Sequence, residues 1–209
     1  LLAGQKVKTV FDVGANTGET ALYYRRLFPE TTVYSFEPFP VTFQELQTKA
    51  ANDRLIIPLQ LALAEKEEIK TFYSFENHVT NSLLPFSKEA GAYVEGMDDL
   101  SKSEMLQVQS TSLDLFCQEN GIDIIDLLKL DVQGGEGKVI EGGQEILTKK
   151  KVRAIISEVD FVSVYEGQTW AGELLQMFAE YGYHLYDFYN FAYSETGQVK
   201  WGDAIFLPR

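Results

Sequence analysis

Near its beginning the chain reads Lys8-Thr9-Val10-Phe11-Asp12-Val13-Gly14-Ala15-Asn16-Thr17-Gly18. The apolar, β-branched first half of this stretch is typical of a short buried strand. Residues 19–28 follow with the composition of a helix, which Pro29 ends. Gly14 and Gly18 allow a tight turn that brings the backbone close to a ligand. The stretch therefore predicts the first strand, loop and helix of an open α/β sheet that binds a ligand at its edge.

The rest of the chain repeats this alternation of strands and helices. Further strands are predicted at 32–36, 55–61, 69–75, 125–130 and 152–157, and helices at 41–51, 136–149 and 171–181. Two last strands, at 183–188 and 202–207, have only a turn between them. This order predicts a doubly wound α/β fold of Rossmann-like type, with a mainly parallel seven-stranded sheet and an antiparallel last strand. We expect one domain over residues 1–209, with an irregular loop or cap at about 76–106.

Composition narrows the classes of partner. The 209 residues carry a formal net charge of −13, which opposes binding to a nucleic-acid backbone. No apolar run reaches the roughly 18 residues that a membrane span needs, and no signal peptide is visible. The single cysteine, Cys117, lies in an apolar-periodic stretch and is predicted to be a buried hydrophobic residue. These features predict a cytoplasmic protein with a small-molecule partner.

The loop after the first strand differs from a dinucleotide-binding loop. The G-x-G-x-x-G pattern would need glycine at Asn16 and at Glu19, and a carboxylate at the second position would repel a pyrophosphate. Glu37 ends the second predicted strand about 20 residues further on, where a carboxylate can accept hydrogen bonds from both ribose hydroxyls. A nucleoside cofactor with a positive sulfonium and no phosphate, S-adenosylmethionine, therefore fits better than NAD. An NAD-dependent oxidoreductase remains an alternative.

Several blocks together resemble the FkbM family of methyltransferases, from Val10 to about Glu158. The blocks are Phe11 to Gly18, Phe36-Glu37-Pro38, Leu61 to Ala64, Asn81-Ser82-Leu83, Leu128 to Glu136, Val139 to Gly143 and Ile156-Ser157-Glu158. The resemblance implies the class I methyltransferase fold, with S-adenosylmethionine as methyl donor. It also implies O-methylation of a hydroxyl on a small molecule, such as a sugar or a polyketide-type metabolite. The cofactor contacts expected on these motifs are Asp12, Gly14, Ala15, Asn16, Gly18, Glu37, Pro38 and Ala62.

The catalytic candidates follow two neighbouring strands. Asp131 and Glu158 should close adjacent parallel strands and face one cleft, where one takes the acceptor's proton and the other orients the hydroxyl. Asp160 lies near the same rim. The three acids could instead hold Mg²⁺, which prefers oxygen ligands, so metal use is left open. Lys129, a cation in an apolar strand, is expected to pair with a nearby carboxylate.

The irregular segment supplies the substrate-binding candidates His78, Asn81 and Ser82, because such a loop should border the cleft. Two residues depart from the usual pattern of the family. Gln133 stands where Glu is more common, and Gly137 stands where a larger residue is usual. We interpret Gln133 as tolerated. These departures keep open a second hypothesis, a non-catalytic module that binds a ligand or a partner on a degenerate methyltransferase fold.

Overall fold

The computed structural model describes residues 6–75, 77–94 and 103–209. Its main sheet has seven strands in the order β3-β2-β1-β7-β8-β10-β9. Neighbouring strands run parallel from β3 to β8, whereas β10 runs antiparallel to both β8 and β9. The predicted doubly wound sheet with an antiparallel last strand is therefore confirmed. Its strands are β1 (Thr9–Val13), β2 (Thr32–Phe36), β3 (Ile56–Leu59), β7 (Leu127–Leu130), β8 (Ile155–Asp160), β9 (Tyr183–Tyr193) and β10 (Val199–Pro208).

Within the part of the chain that the structure describes, six α-helices lie between the strands. They are α1 (Glu19–Leu27), α2 (Pro40–Ala50), α3 (Leu113–Glu119), α4 (Glu136–Glu141), α5 (Gln144–Thr148) and α6 (Ala171–Glu180). The largest apolar core cluster joins β1, β7 and β8 to the helices around them through fully buried side chains such as Phe11, Leu128 and Phe178. Cys117 belongs to this cluster, as predicted. Within the described residues, none of the helices combines the length and the apolar character that a membrane span requires.

The sequence prediction missed a second sheet. β4 (Ala62–Ala64), β6 (Glu104–Ser112) and β5 (Glu68–Ser74) form three strands in the order β4-β6-β5. Glu104–Leu106, which we assigned to the irregular segment, pair with β5 and so belong to β6. The pairing of β6 with β4 and β5 joins residues 30 or more positions apart, which local patterns do not reveal. Residues 76 and 95–102 of the predicted cap lie outside the described residues.

The single helix predicted from Glu136 to Lys149 is wrong, because the chain breaks it at Gly142 and Gly143. A Cβ atom at Gly142 would stand 2.1 Å from the carbonyl oxygen of Ala64, so the backbones touch there. The Asp114 carboxylate then accepts the backbone N–H groups of Glu145 and Ile146, at 2.8 and 2.9 Å, and caps the first turn of α5. This close packing against the small sheet divides the helix.

The carboxyl ends of β1 and β7 define the topological switch point of the main sheet. From β1 the order proceeds through β2 to β3, and from β7 it proceeds through β8 to the other edge. The backbone N–H of Asp131 donates to the carbonyl of Val13 at 3.0 Å, so the loops after β1 and β7 leave the sheet side by side. In open α/β sheets this crevice is where ligands bind.

Candidate functional site

A cavity of about 500 Å³ opens at this edge of the sheet. Its floor comes from the ends of β1, β2, β7 and β8, and one wall from the small sheet. The segment from Asn77 to Val94 forms the opposite wall and packs on the chain after β8, where Phe86 pairs with Tyr165. The dimensions suit a nucleoside-sized ligand with a second small molecule beside it.

The glycine loop is shaped by contact with the neighbouring loop. Gly14 has φ +80, and a Cβ atom on it would stand 1.8 Å from the carbonyl oxygen of Asp131. Only glycine fits both conditions. Gly18, with φ +88, begins α1 and packs against Leu46 of α2. Gly14 therefore lets the two loops meet at the cavity floor, whereas Gly18 sets the direction of the helix.

Glu37 lines the cavity just after β2 and is held by backbone donors. Its carboxylate accepts the N–H of Asn16 at 2.8 Å and that of Phe39 at 2.9 Å. Burial raises the pKa of Glu37, and the N–H donor of Phe39 opposes that rise. Each carboxylate oxygen keeps a free lone pair. Glu37 can therefore accept hydrogen bonds from a vicinal diol such as that of a ribose.

Asp131 lies beside Lys129, a residue of β7. Lys129 Nζ lies 3.0 Å from Asp131 Oδ2 and 3.6 Å from Asp12 Oδ1. The predicted pairing of Lys129 with a carboxylate is confirmed. Burial alone would raise the pKa of Asp131, but the Lys129 ammonium and the Gln133 amide outweigh burial and hold it below its usual range. Asp131 is therefore a carboxylate at neutral pH.

Glu158 has the opposite environment. It lies on β8 with its Oε2 atom 2.7 Å from Gln133 Nε2. Partial burial raises the pKa of Glu158 well above its usual value, and the negative charges of Asp131 and Asp160 raise it further. A carboxyl group with a raised pKa is better matched to accept a proton near neutral pH than an ordinary one. The two neighbouring acids therefore differ: Asp131 favours its ionised form, whereas Glu158 favours its protonated form and can act as a base once it has lost that proton.

Two further acids extend this negative region. Glu136, at the start of α4, accepts the N–H of Val132 at 2.8 Å, and burial together with Asp160 raises its pKa to about 8. Asp160 ends β8 in the cavity wall, and burial together with Asp131 raises its pKa to about 7. Lys129 is the cation that neutralises Asp131 at this end of the cavity. A positively charged ligand in the cavity would favour the ionised forms of these acids.

The raised pKa of Glu136 predicts a pH-dependent stability. The folded protein binds a proton on Glu136 up to about pH 8, whereas the unfolded chain releases it near 4.5. The folded state thus binds more protons over this range, and its free energy of unfolding falls as pH rises. Glu136→Gln keeps an acceptor for the Val132 N–H and removes this titration. We expect the variant to be more stable than the intact protein by roughly 3–5 kcal/mol at pH 8.5, with little difference at pH 4.5.

Urea unfolding of both proteins at the two pH values measures this difference. Glu195→Gln, in the exposed turn between β9 and β10, controls for the loss of one carboxylate. A stability gain for Glu136→Gln that is equal at pH 4.5 and pH 8.5 would contradict the assigned titration.

The Mg²⁺ alternative receives no support from the geometry. Among residues 6–75, 77–94 and 103–209, no three His, Cys, Asp or Glu side chains cluster as metal ligands. Asp131, Glu158 and Asp160 therefore do not form the ligand set considered above. The physical reason is the amide of Gln133, which directs its N–H groups to Asp131 and Glu158 at 2.9 and 2.7 Å.

The structure brings most of the sequence-predicted site residues to one cavity. The predicted residues in its wall are Gly14, Asn16, Glu37, Pro38, Ala62, His78, Asn81, Asp131, Glu158 and Asp160. The wall of the cavity does not include Asp12, Ala15, Gly18 or Ser82. Asp12 is completely buried below the loop and pairs with Lys129, and Ala15 is buried in the turn. These four residues therefore lie outside the cavity wall.

Ser82 is the clearest departure from the predicted substrate contacts. It is buried, donates from Oγ to the carbonyl of Gln133 at 2.7 Å, and accepts the N–H of Leu84. Asn81 accepts the N–H of Phe75 at 2.8 Å through Oδ1. His78 is exposed, with Nδ1 3.1 Å from the carbonyl of Phe75 and its ring against Phe39. Of the three, Asn81 and His78 face the cavity, whereas Ser82 fastens the cap to the loop after β7.

The sequence analysis missed four residues of the site. Gln133 bridges the two catalytic candidates, and Tyr165 contacts its side-chain oxygen. Lys200 and Trp201 of β10 line the far end of the cavity, with the lysine ammonium 4.3 Å from the centre of the indole ring. For Gln133, the departure from the family's usual Glu was the available signal. Gly137 has a packing explanation, because a Cβ atom on it would stand 2.3 Å from Thr169 Oγ1.

Comparison with known proteins now identifies the family. The family model described as Methyltransferase FkbM domain matches residues 12–185, which is most of the chain. The chain belongs to the FkbM methyltransferase family. Two FkbM-type relatives are the 2-O-methyltransferase NoeI of Sinorhizobium fredii, 29% identical over 76% of this chain, and the 31-O-demethyl-FK506 methyltransferase FkbM of Streptomyces tacrolimicus, 28% identical over 78%.

Solved structures agree on the fold. The chain matches a methyltransferase FkbM from Methylobacillus flagellatus KT with TM-score 0.55 at 12% identity, covering 96% of this chain and 44% of that one. It matches Aeropyrum pernix fibrillarin, solved with S-adenosyl-L-methionine, with TM-score 0.54 at 11% identity, covering 99% of this chain and 69% of that one. These matches confirm the class I methyltransferase fold. The aligned part is 66% of NoeI and 69% of the FK506 enzyme.

Proposed function

We propose that this FkbM-family protein transfers a methyl group from S-adenosylmethionine to a hydroxyl group of a small molecule, such as a sugar or a polyketide-type metabolite. The observation that carries the proposal is that one cavity contains both Glu37 and the pair Asp131 and Glu158. A nucleoside held at Glu37 would thus have its reactive end beside two carboxyl groups. The names of the two relatives above, both O-methyl-transferring enzymes, support the choice of a hydroxyl acceptor.

The residues present fit S-adenosylmethionine. Glu37 provides acceptors for the ribose hydroxyls. Apolar side chains beside it, including Phe36, Leu61 and Phe72, offer a surface for an adenine ring. The carboxylates at the other end favour the positive charge of a sulfonium. When bound, this cofactor supplies a methyl group that is already activated for displacement.

The chain's own groups then align and deprotonate the acceptor. Glu158 accepts the proton of the acceptor hydroxyl once its own carboxyl group is ionised, and its raised pKa makes that carboxylate a stronger base than an ordinary glutamate. Asp131, kept ionised by Lys129, accepts a hydrogen bond from the acceptor and orients it. The segment from Asn77 to Val94 contributes part of the cavity wall. Alignment of the methyl donor with the acceptor hydroxyl accounts for most of the remaining acceleration of methyl transfer.

A methyl-transfer assay tests the proposal. The protein is incubated with S-adenosylmethionine carrying a labelled methyl group and with a panel of hydroxylated sugars and polyketide-type alcohols. Their deoxy analogues serve as controls. We expect label on a hydroxylated acceptor, with one S-adenosylhomocysteine formed per methyl transferred. Tight cofactor binding without labelling of any acceptor would favour the alternative, a non-catalytic binding module.

The charge of the chain makes a second prediction about partners. With a formal net charge of −13, the protein should not bind DNA or RNA measurably at physiological salt, because phosphate contacts dominate such binding. Fluorescence anisotropy with labelled duplex DNA and single-stranded RNA measures this. Micromolar binding that weakens as salt increases would contradict a small-molecule acceptor.

A further inference from the structure

The side chain of Gln133 uses all of its hydrogen-bonding groups inside the site. Its Nε2 atom donates to Asp131 Oδ1 at 2.9 Å and to Glu158 Oε2 at 2.7 Å. Its Oε1 atom lies 2.8 Å from the hydroxyl oxygen of Tyr165. An amide nitrogen has two hydrogens, so one is available for each carboxyl group. Gln133 therefore links two acids that stand on different strands.

The orientation of this amide is fixed by its neighbours. The Tyr165 hydroxyl also lies 2.9 Å from the carbonyl of Thr80, so its one hydrogen is shared between that carbonyl and Gln133 Oε1. A tyrosine hydroxyl that donates to the amide oxygen requires the nitrogen to face the carboxyl groups. Tyr165 lies in the loop after β8, where it is buried and stacks on Phe86, so it has little freedom to turn.

The backbone of Gln133 is also held in an unusual conformation. Its φ is +57, a left-handed value that a residue with a side chain seldom adopts. The Ser82 hydroxyl donates to its carbonyl at 2.7 Å, which ties this conformation to the cap. Strained backbone of this kind persists where surrounding contacts enforce it, and it is concentrated at functional sites.

We propose that Gln133 is a positioning residue that holds Asp131 and Glu158 as one hydrogen-bonded pair across the acceptor site. The proposal rests on the proposed function for the chemistry that the pair performs. It replaces our interpretation that Gln133 is merely tolerated. A neutral amide suits this task because it donates to both acids without adding a charge. A carboxylic acid at the same place has one hydrogen when protonated and none when ionised.

Several charged groups surround Glu158 and contribute to its titration. Asp131 after β7, Asp160 on β8 and Glu136 on α4 raise its pKa, and Lys129 on β7 lowers it. Asp203 on β10 is its register partner, Glu158 raises the pKa of the Tyr165 hydroxyl, and Asp12 on β1 pairs with Lys129. A substitution at Gln133 leaves all of these in place. A change in the titration of Glu158 therefore reports on the Gln133 amide.

The test measures the titration of Glu158 directly, with S-adenosylhomocysteine present. The protein is labelled with ¹³C at the glutamate carboxyl carbons, and the Glu158 resonance is the one that Glu158→Gln removes. In Gln133→Leu the carboxylate loses a donor that stabilises its charged form, so Glu158 should titrate about one pH unit higher. In Gln133→Glu a negative charge is added as well, so Glu158 should titrate higher still. In the control variant Gln118→Leu, on the exposed face of α3, Glu158 should titrate as it does in the intact protein.

Kinetics provide the second readout. We expect Gln133→Leu to lower the single-turnover rate about 10-fold or more, with the pH at half-maximal rate moved upward and cofactor affinity little changed. An unchanged Glu158 titration in both Gln133 variants would overturn the proposal, and so would a lower rate without movement of the pH profile. If the intact protein transfers no methyl group, the proposed function fails, whereas the titration still decides the role of Gln133.

Discussion

Glu158→Gln is expected to slow methyl transfer by roughly 10²–10⁴-fold, the usual contribution of a general base. The substitution removes the proton acceptor and leaves the size of the side chain unchanged. In the intact protein, kcat/KM should rise with pH, because the carboxyl group must lose its proton before it can accept one from the acceptor. In the variant this rise should disappear. Single-turnover measurements across pH with the true acceptor check both effects.

Asp131→Asn tests the orientation of the acceptor hydroxyl separately from the transfer of its proton to Glu158. We expect a slower rate while the pH dependence from Glu158 persists, because the base is still present. Affinity for S-adenosylhomocysteine should stay within about threefold for both variants, since neither substitution changes Glu37, the carboxylate assigned to the ribose. Glu195→Gln serves as the surface control. Near-full rates in both catalytic variants would mean that another group, with His78 as the first candidate, accepts the proton.

Glu37→Ala is expected to weaken binding of S-adenosylhomocysteine by about 1–3 kcal/mol, as the loss of charge-assisted hydrogen bonds does. The change also removes the acceptor for the N–H groups of Asn16 and Phe39, so the loops after β1 and β2 lose a shared contact. Glu37→Gln retains one acceptor oxygen. Its affinity for S-adenosylhomocysteine should therefore lie between that of Glu37→Ala and that of the intact protein.

The control for Glu37→Ala is Glu45→Ala, on the exposed face of α2. Calorimetry gives the affinities, and thermal unfolding shows whether each variant remains folded at the temperature of the titration. Unchanged affinity in a folded Glu37→Ala protein would mean that the ribose is not held at this carboxylate.

Local sequence patterns predicted the parts of the site that neighbouring residues build. Gly14 and Glu37 each follow a strand, and the carboxyl ends of parallel strands meet at one edge, so their convergence follows from the order of elements. Asp131 and Glu158 were predicted to face one cleft for the same reason. The patterns also gave the antiparallel last strand, because no helix fits between β9 and β10.

The features that were missed depend on contacts between distant residues. Tyr165 reaches Gln133 across 32 positions, and Ser82 reaches the Gln133 carbonyl across 51. The small sheet depends on the pairing of β6 with β4 and β5, and the break between α4 and α5 depends on the approach of Gly142 to Ala64. None of these has a periodic signal along the chain. Periodicity along the chain therefore predicted where Asp131 and Glu158 lie. Tertiary packing determines their protonation states and their hydrogen bonds to Gln133.

The measurement that tests the central claim most directly is a calorimetric titration of the intact protein with S-adenosylhomocysteine, beside a titration with NADH. The environment of Glu37 and the acids Asp131, Glu158 and Asp160 in the same cavity predict saturable binding of one S-adenosylhomocysteine per chain and no measurable binding of NADH. No heat with S-adenosylhomocysteine, or equal affinity for NADH, would contradict the assignment of this cavity as the site of a sulfonium nucleoside cofactor.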